Sequence, residues 1–151
     1  MKVRLRCKSE DQETIAAMLG RGGFAVSEDG IYIFYEPGYM PDYVIGKVKD
    51  DSGDIVMLKF EEIYYFESFG HEINMATERG VFGVKDKLYQ LELLLPPQTF
   101  LRISQSAIIN RYNIKKISPG IGMRYILTMK DKAAIDVTRN YYYRFKTEVG
   151  I

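Results

Sequence analysis

Cysteine and histidine occur once each in these 151 residues, at Cys7 and His71. A lone cysteine cannot close an internal disulfide, and one cysteine with one histidine cannot furnish the nitrogen and sulfur ligands of a usual zinc site. A disulfide scaffold and a zinc finger are both excluded. No Gly-x-Ser-x-Gly elbow and no metal-ligand cluster is present, which leaves acyl transfer and metal-dependent hydrolysis without candidate residues. The chain is therefore expected not to be an enzyme, with only carboxylate chemistry left open, and no cofactor is implied. Long apolar runs are also missing. The longest, 91–97, is broken by Glu92 and ends in Pro96 and Pro97, far short of the ~20 residues that a membrane span needs. The opening residues Lys2, Val3, Arg4, Leu5 and Arg6 alternate charge with apolar side chains, where a secretory leader would be continuously apolar. A cytoplasmic protein is expected.

What is present is enough apolar material, 46% of the residues, for one packed core or a domain with a small appendage. The net charge of +1 hides an uneven distribution. Residues 1–54 hold seven Lys/Arg against ten Asp/Glu, whereas residues 85–151 hold twelve against five, a local charge of +7. Such a concentration favours a polyanionic partner, although a lysine-rich solvated surface would read the same way.

Val3, Leu5 and Cys7 alternate with polar neighbours as a strand with one wet face does. Ser9 with Gln12 forms a capping-box signal. Ile15, Met18 and Leu19 mark the stripe of a helix that Gly20-Arg21-Gly22-Gly23 stops; this glycine run lacks the Gly-Lys-Ser/Thr ending of a phosphate loop. Residues 24–27 and 31–35 read as two strands joined as a hairpin at Asp29-Gly30. A linker of turn and breaker residues follows at 36–41. The expected order is then a hairpin of 44–48 and 55–60, strands at 63–67, 72–77 and 81–84, and a helix from Leu88 that Pro96-Pro97 ends. Residues 100–110 are ambiguous. Strands at 114–117, 125–129 and 134–137 and a short helix within 140–149 complete the chain. Tyr141-Tyr142-Tyr143 is read as core anchoring rather than a base-stacking platform, because consecutive helical residues point in different directions.

Three segments in fixed order carry a family resemblance. Phe60-Glu61-Glu62-Ile63-Tyr64-Tyr65-Phe66-Glu67-Ser68 is an acidic-Ile-aromatic-aromatic-Glu strand. Phe100-Leu101-Arg102-Ile103-Ser104-Gln105-Ser106, continuing to Asn110, is a Phe-x-Arg-x-x-x-Ser-x-x-x-Asn block. Ile135-Asp136-Val137-Thr138-Arg139-Asn140-Tyr141 resembles a closing Val-Ser-Arg-x-Tyr, and Leu88-Tyr89-Gln90-Leu91-Glu92 is similar to the helix that precedes the middle block. Together they resemble the LytTR domain of bacterial transcription regulators over roughly residues 44–151. The resemblance implies a sequence-specific regulator that binds double-stranded DNA with an elongated β fold, entering successive major grooves by loops rather than by a helix.

It places base reading on His71, Gln105 and Arg139, and phosphate contacts on Lys85, Lys87, Arg102 and Ser106. These residue types have the chemistry that base reading needs, since arginine bonds guanine O6 and N7 together, glutamine bonds adenine N6 and N7, and histidine offers one donor or acceptor at a time. Gly70 directly before His71 shortens this loop relative to many members. Each residue also has a plainer reading: His71 as a solvated loop residue, Gln105 as a turn or cap residue, and Arg139 at the start of a helix capped by Thr138.

The expected fold is α+β and mainly β: a small β-α-β-β unit at 1–41 with a dimerising or regulatory role, then the LytTR-like sandwich with short helices at 42–151, and no receiver domain. A homodimer on repeated half-sites is expected. The competing class is a protein-interaction module whose sheet edges bind a regulatory partner without DNA.

Overall fold

The computed structural model describes residues 1–8, 10–30, 32–35 and 42–151, in two compact units, Met1–Asp42 and Tyr43–Ile151. Ser9 and the expected linker at 36–41 lie outside the described residues.

In the first unit the order strand, helix, strand, strand holds: β1 (Lys2–Arg6), α1 (Gln12–Arg21), β2 (Ala25–Val26) and β3 (Tyr32–Tyr35). The expected hairpin at Asp29-Gly30 does not form. β1 lies in the middle and pairs in parallel with both β2 and β3. β2, only two residues long, pairs with β1 through Ala25 and Val26 and not with β3. The chain between them runs against the β1 backbone at Gly30, where a Cβ would sit 2.5 Å from the Val3 carbonyl carbon. Only glycine fits that approach. Asp29 is held by Lys2 Nζ at 2.8 Å and by the Ser27 hydroxyl. α1 ends at the glycine run as expected, with Gly23 at φ +86°. Its N-cap is Asp11, without a side-chain cap, and no residue of α1 is buried within the described chain, Met18 being 62% exposed.

The second unit has two antiparallel sheets. The larger has seven strands in the order β5-β4-β8-β7-β6-β10-β9: β4 (Tyr43–Lys47), β5 (Ile55–Lys59), β6 (Ile63–Phe69), β7 (Glu72–Thr77), β8 (Gly80–Val84), β9 (Phe100–Arg102) and β10 (Ala107–Asn110). The smaller is β11 (Ile114–Pro119), β12 (Tyr125–Met129) and β13 (Ala134–Val137). α2 (Leu88–Leu94) and α3 (Tyr142–Val149) each cover a core. In the first core Leu88, Leu91 and Leu95 pack with Leu58, Phe66, Met75, Phe100 and Ile108; in the second Phe145 packs with Leu101, Ile103, Ile109, Leu127 and Val137.

β9 and β10 are the wall between these cores. Phe100 and Ile108 face one, while Leu101, Ile103, Ala107 and Ile109 face the other. A strand buried on both faces loses its polar-apolar alternation, which is why residues 100–110 have no readable period. Asn110, the last residue of β10 and of the middle block, is buried. Its Nδ2 donates to the Phe60 and Ile63 carbonyls at 3.1 Å each, and its Oδ1 accepts from Tyr112 N at 3.0 Å. The tyrosine run divides as expected of a helix: Tyr142 stacks on Tyr125 with centroids 4.9 Å apart, while Tyr143 points outward.

Candidate nucleic-acid interface

His71 sits in a two-residue turn that joins β6 to β7 across the pair Phe69 and Glu72. Gly70 supplies the positive φ of +60° at the first central position, the conformation a tight hairpin of this kind requires. The His71 side chain is exposed, and its carbonyl accepts a hydrogen bond from Lys87 Nζ at 2.6 Å. β7 and β8 are paired at Ile73 and Val84, so Lys85 leaves the sheet at the same end, beside this turn. Lys49, which sequence reasoning passed over, also arrives there, bonded to the Asn74 side chain and 3.9 Å from Glu72. Nothing in its local sequence separates it from any lysine that ends a strand.

Gln105 lies in the turn between β9 and β10. The turn is closed by Ile103 N donating to Ala107 O at 3.1 Å, and by Ser104 Oγ accepting from Ser106 N at 3.1 Å. Ser104 is buried, whereas Gln105 and Ser106 are exposed. Arg102, expected at phosphate, turns inward: Nε donates to Ser104 O and Nη2 to Gln105 O, both at 2.6 Å, and Nη1 reaches Glu92 Oε2 at 3.1 Å.

Arg139 opens a single 3-10 turn (Arg139–Tyr141) after β13 and is exposed. Thr138 precedes it as the N-cap residue, but its side chain makes no capping bond. Its backbone N donates to Ile103 O at 3.0 Å, which ties the closing motif to the Gln105 turn. Ser68 N donates to Ser106 O at 2.9 Å, which ties the same turn to the strand that leads to His71. Two backbone hydrogen bonds thus bring three turns, far apart in sequence, to one end of the second unit. Among the described residues, the side chains of His71, Gln105 and Arg139 carry no hydrogen bond or ion pair.

A cleft of about 410 Å³ opens between these turns, lined by Glu67, Ser68, Ser104, Ser106, Asp136 and Thr138. Burial, and then the neighbouring Asp131, holds the Glu67 carboxyl above its ordinary value. Tyr65 donates its hydroxyl to Asp131 at 2.8 Å, and burial followed by that bond pushes the phenol upward as well. The charged side chains that line the cleft, Glu67 and Asp136, are both acidic. Among the described residues no group of side chains is arranged to hold a metal ion, and no helix is long and apolar enough to cross a membrane.

The family model for the LytTr DNA-binding domain matches residues 53–150. The sensory transduction protein LytT of Bacillus subtilis (strain 168) is 33% identical over 87 residues, which are 58% of this chain and 36% of that protein. The chain thus spans about a third of the length of its LytT relatives. An uncharacterized HTH-type transcriptional regulator of Staphylococcus aureus (strain NCTC 8325 / PS 47) is 29% identical over 98 residues, covering 65% of this chain and 66% of that protein. A solved LytTr DNA-binding domain from Bacillus cereus superposes with a TM-score of 0.69 at 25% identity, covering 74% of this chain and 99% of the domain.

Proposed function

The chain belongs to the LytTR DNA-binding domain family, and from that premise we propose that it is a cytoplasmic transcriptional regulator that reads specific double-stranded DNA in the major groove with His71, Gln105 and Arg139. The LytTR domain is a DNA-binding domain, not a catalytic one. The observation that carries the finer reading is the pair of backbone bonds, Ser68 to Ser106 and Thr138 to Ile103, that puts the three turns at one end. Each presents one exposed polar side chain of a type that bonds base edges. Lys85 and Lys87 beside the His71 turn, and Ser106 in the Gln105 turn, take the phosphates. Arg102 has its guanidinium committed to protein acceptors, so it plays a different part.

Two copies bound to repeated half-sites would gain affinity from tethering. A protein-interaction module is the second reading, and one observation favours it. β5 is an outer strand of the large sheet, and β4 and β5 expose Ile45, Ile55 and Met57 on the face away from the core.

Selection from random duplexes, followed by binding at rising salt, separates the two. The DNA reader enriches one sequence, and its affinity falls with a logarithmic slope of about −0.9 per phosphate contacted. A motif recovered twice at fixed spacing supports the paired form. Selection that enriches nothing leaves the interaction module as the better account.

A further inference from the structure

The geometry points to Glu92 and Arg102 as a clamp that positions the base-reading turn without touching DNA, an inference that rests on the DNA-reading function proposed above. Glu92 lies on α2, and its side chain is partly exposed. One of its oxygens holds Arg102 Nη1 at 3.1 Å, and the other holds Arg144 Nη1 of α3 at 3.3 Å. The Arg102 side chain is 11% exposed, against 55% for Arg144. The first arm is therefore the one sheltered from solvent, and the second is screened.

Beyond Glu92, the other two Arg102 bonds end on the carbonyls of Ser104 and Gln105, the two residues whose peptide orientation sets where the Gln105 side chain points. A guanidinium is a planar fork with donors in fixed directions. Held by a carboxylate on one side, it fixes both carbonyls on the other. The next residue, Ile103, accepts from Thr138 N just before Arg139. Orientation set at Glu92 thus reaches the Gln105 turn directly and the Arg139 turn through one further bond. α2 touches no base in this arrangement. It is the fixed post against which the reading turns are held.

The test uses the full chain, the duplex recovered by selection and a scrambled duplex of equal length, titrated from about 50 to about 300 mM salt. Arg102→Ala and Glu92→Ala are each expected to lower affinity for the selected duplex about tenfold, leave the scrambled duplex within about twofold, and leave the salt slope unchanged. The double variant should be no worse than the worse single one, because each residue acts through the other. Lys85→Ala, the phosphate comparator, should instead weaken both duplexes and reduce the slope by about 0.9. Arg102→Lys keeps the charge without the fork and should not restore discrimination.

If Arg102→Ala weakens both duplexes alike and flattens the slope as Lys85→Ala does, Arg102 is a phosphate contact and the clamp is wrong. Additive losses in the double variant, or full rescue by Arg102→Lys, overturn it as well. Should Arg102→Ala fail to fold, Glu92→Gln, which is isosteric, gives the same readings with one acceptor fewer. A readout without DNA separates the clamp from the function it rests on: amide exchange at 104–106 should quicken in Glu92→Ala. Unchanged exchange refutes the clamp. A wild-type chain that binds both duplexes equally refutes the DNA reading alone.

Discussion

Glu67 is a carboxyl that fares worse in the folded chain than in the unfolded one. Burial disfavours its charge, and Asp131 adds repulsion. Below the unfolded carboxyl value both states hold the proton, and the site costs nothing. As pH rises the unfolded chain ionises first and the native one lags, so stability falls as pH climbs through the raised folded value and stays lower above it. Glu67→Gln should therefore unfold at a higher temperature than the wild type near pH 7, with the advantage gone by about pH 4. Thermal unfolding across that range checks it, and an advantage that does not change with pH would mean the gain comes from packing. At this scale the proposed readers His71, Gln105 and Arg139 are named by the family resemblance alone, with side-chain chemistry permitting the roles. The inward turn of Arg102 was not legible, because an arginine just before a turn reads the same whether its guanidinium faces a phosphate or two carbonyls of its own chain.

Among the elements, those with one wet face were the readable ones. The β4–β5 hairpin, the glycine stop of α1, and α2 ended by two prolines all follow local signals. Two places escaped for physical reasons. β9 and β10 are buried on both faces and so carry no alternation. Asp29-Gly30 carries the composition of a hairpin turn, yet its glycine serves a close approach to β1, a contact from residues far back in the chain. Local composition cannot distinguish a glycine needed for a turn from one needed for lack of a side chain. The turn at Gly70 is the opposite case, since its φ of +60° calls for glycine on local grounds. Gly70→Ala should destabilise the chain by about 1 kcal/mol in denaturant unfolding. It should also reduce discrimination at the base read by His71 while the positions read by Gln105 and Arg139 keep theirs. Unaltered stability would mean the turn relaxes to another form at no cost.

For the molecule as a whole, charge and topology answer different questions. The +7 carried by residues 85–151 gives attraction to any polyanion and no sequence preference. Preference requires several exposed polar side chains held in fixed relation, which only the fold supplies, through strands that end together and the bonds that tie their turns. The charge was readable from the sequence, whereas the convergence of residues 71, 105 and 139 needs the pairing of β6 with β10 and the link from Thr138 to Ile103. The measurement that tests this most directly is the base-by-base binding profile of the selected duplex for the wild type and for His71→Ala, Gln105→Ala and Arg139→Ala. Each variant should relax a different position, with Arg139→Ala costing about 1 to 3 kcal/mol of discrimination at its own base, and the three positions should lie along one face of the duplex. Three variants that weaken every sequence equally, with the fold intact, would contradict it.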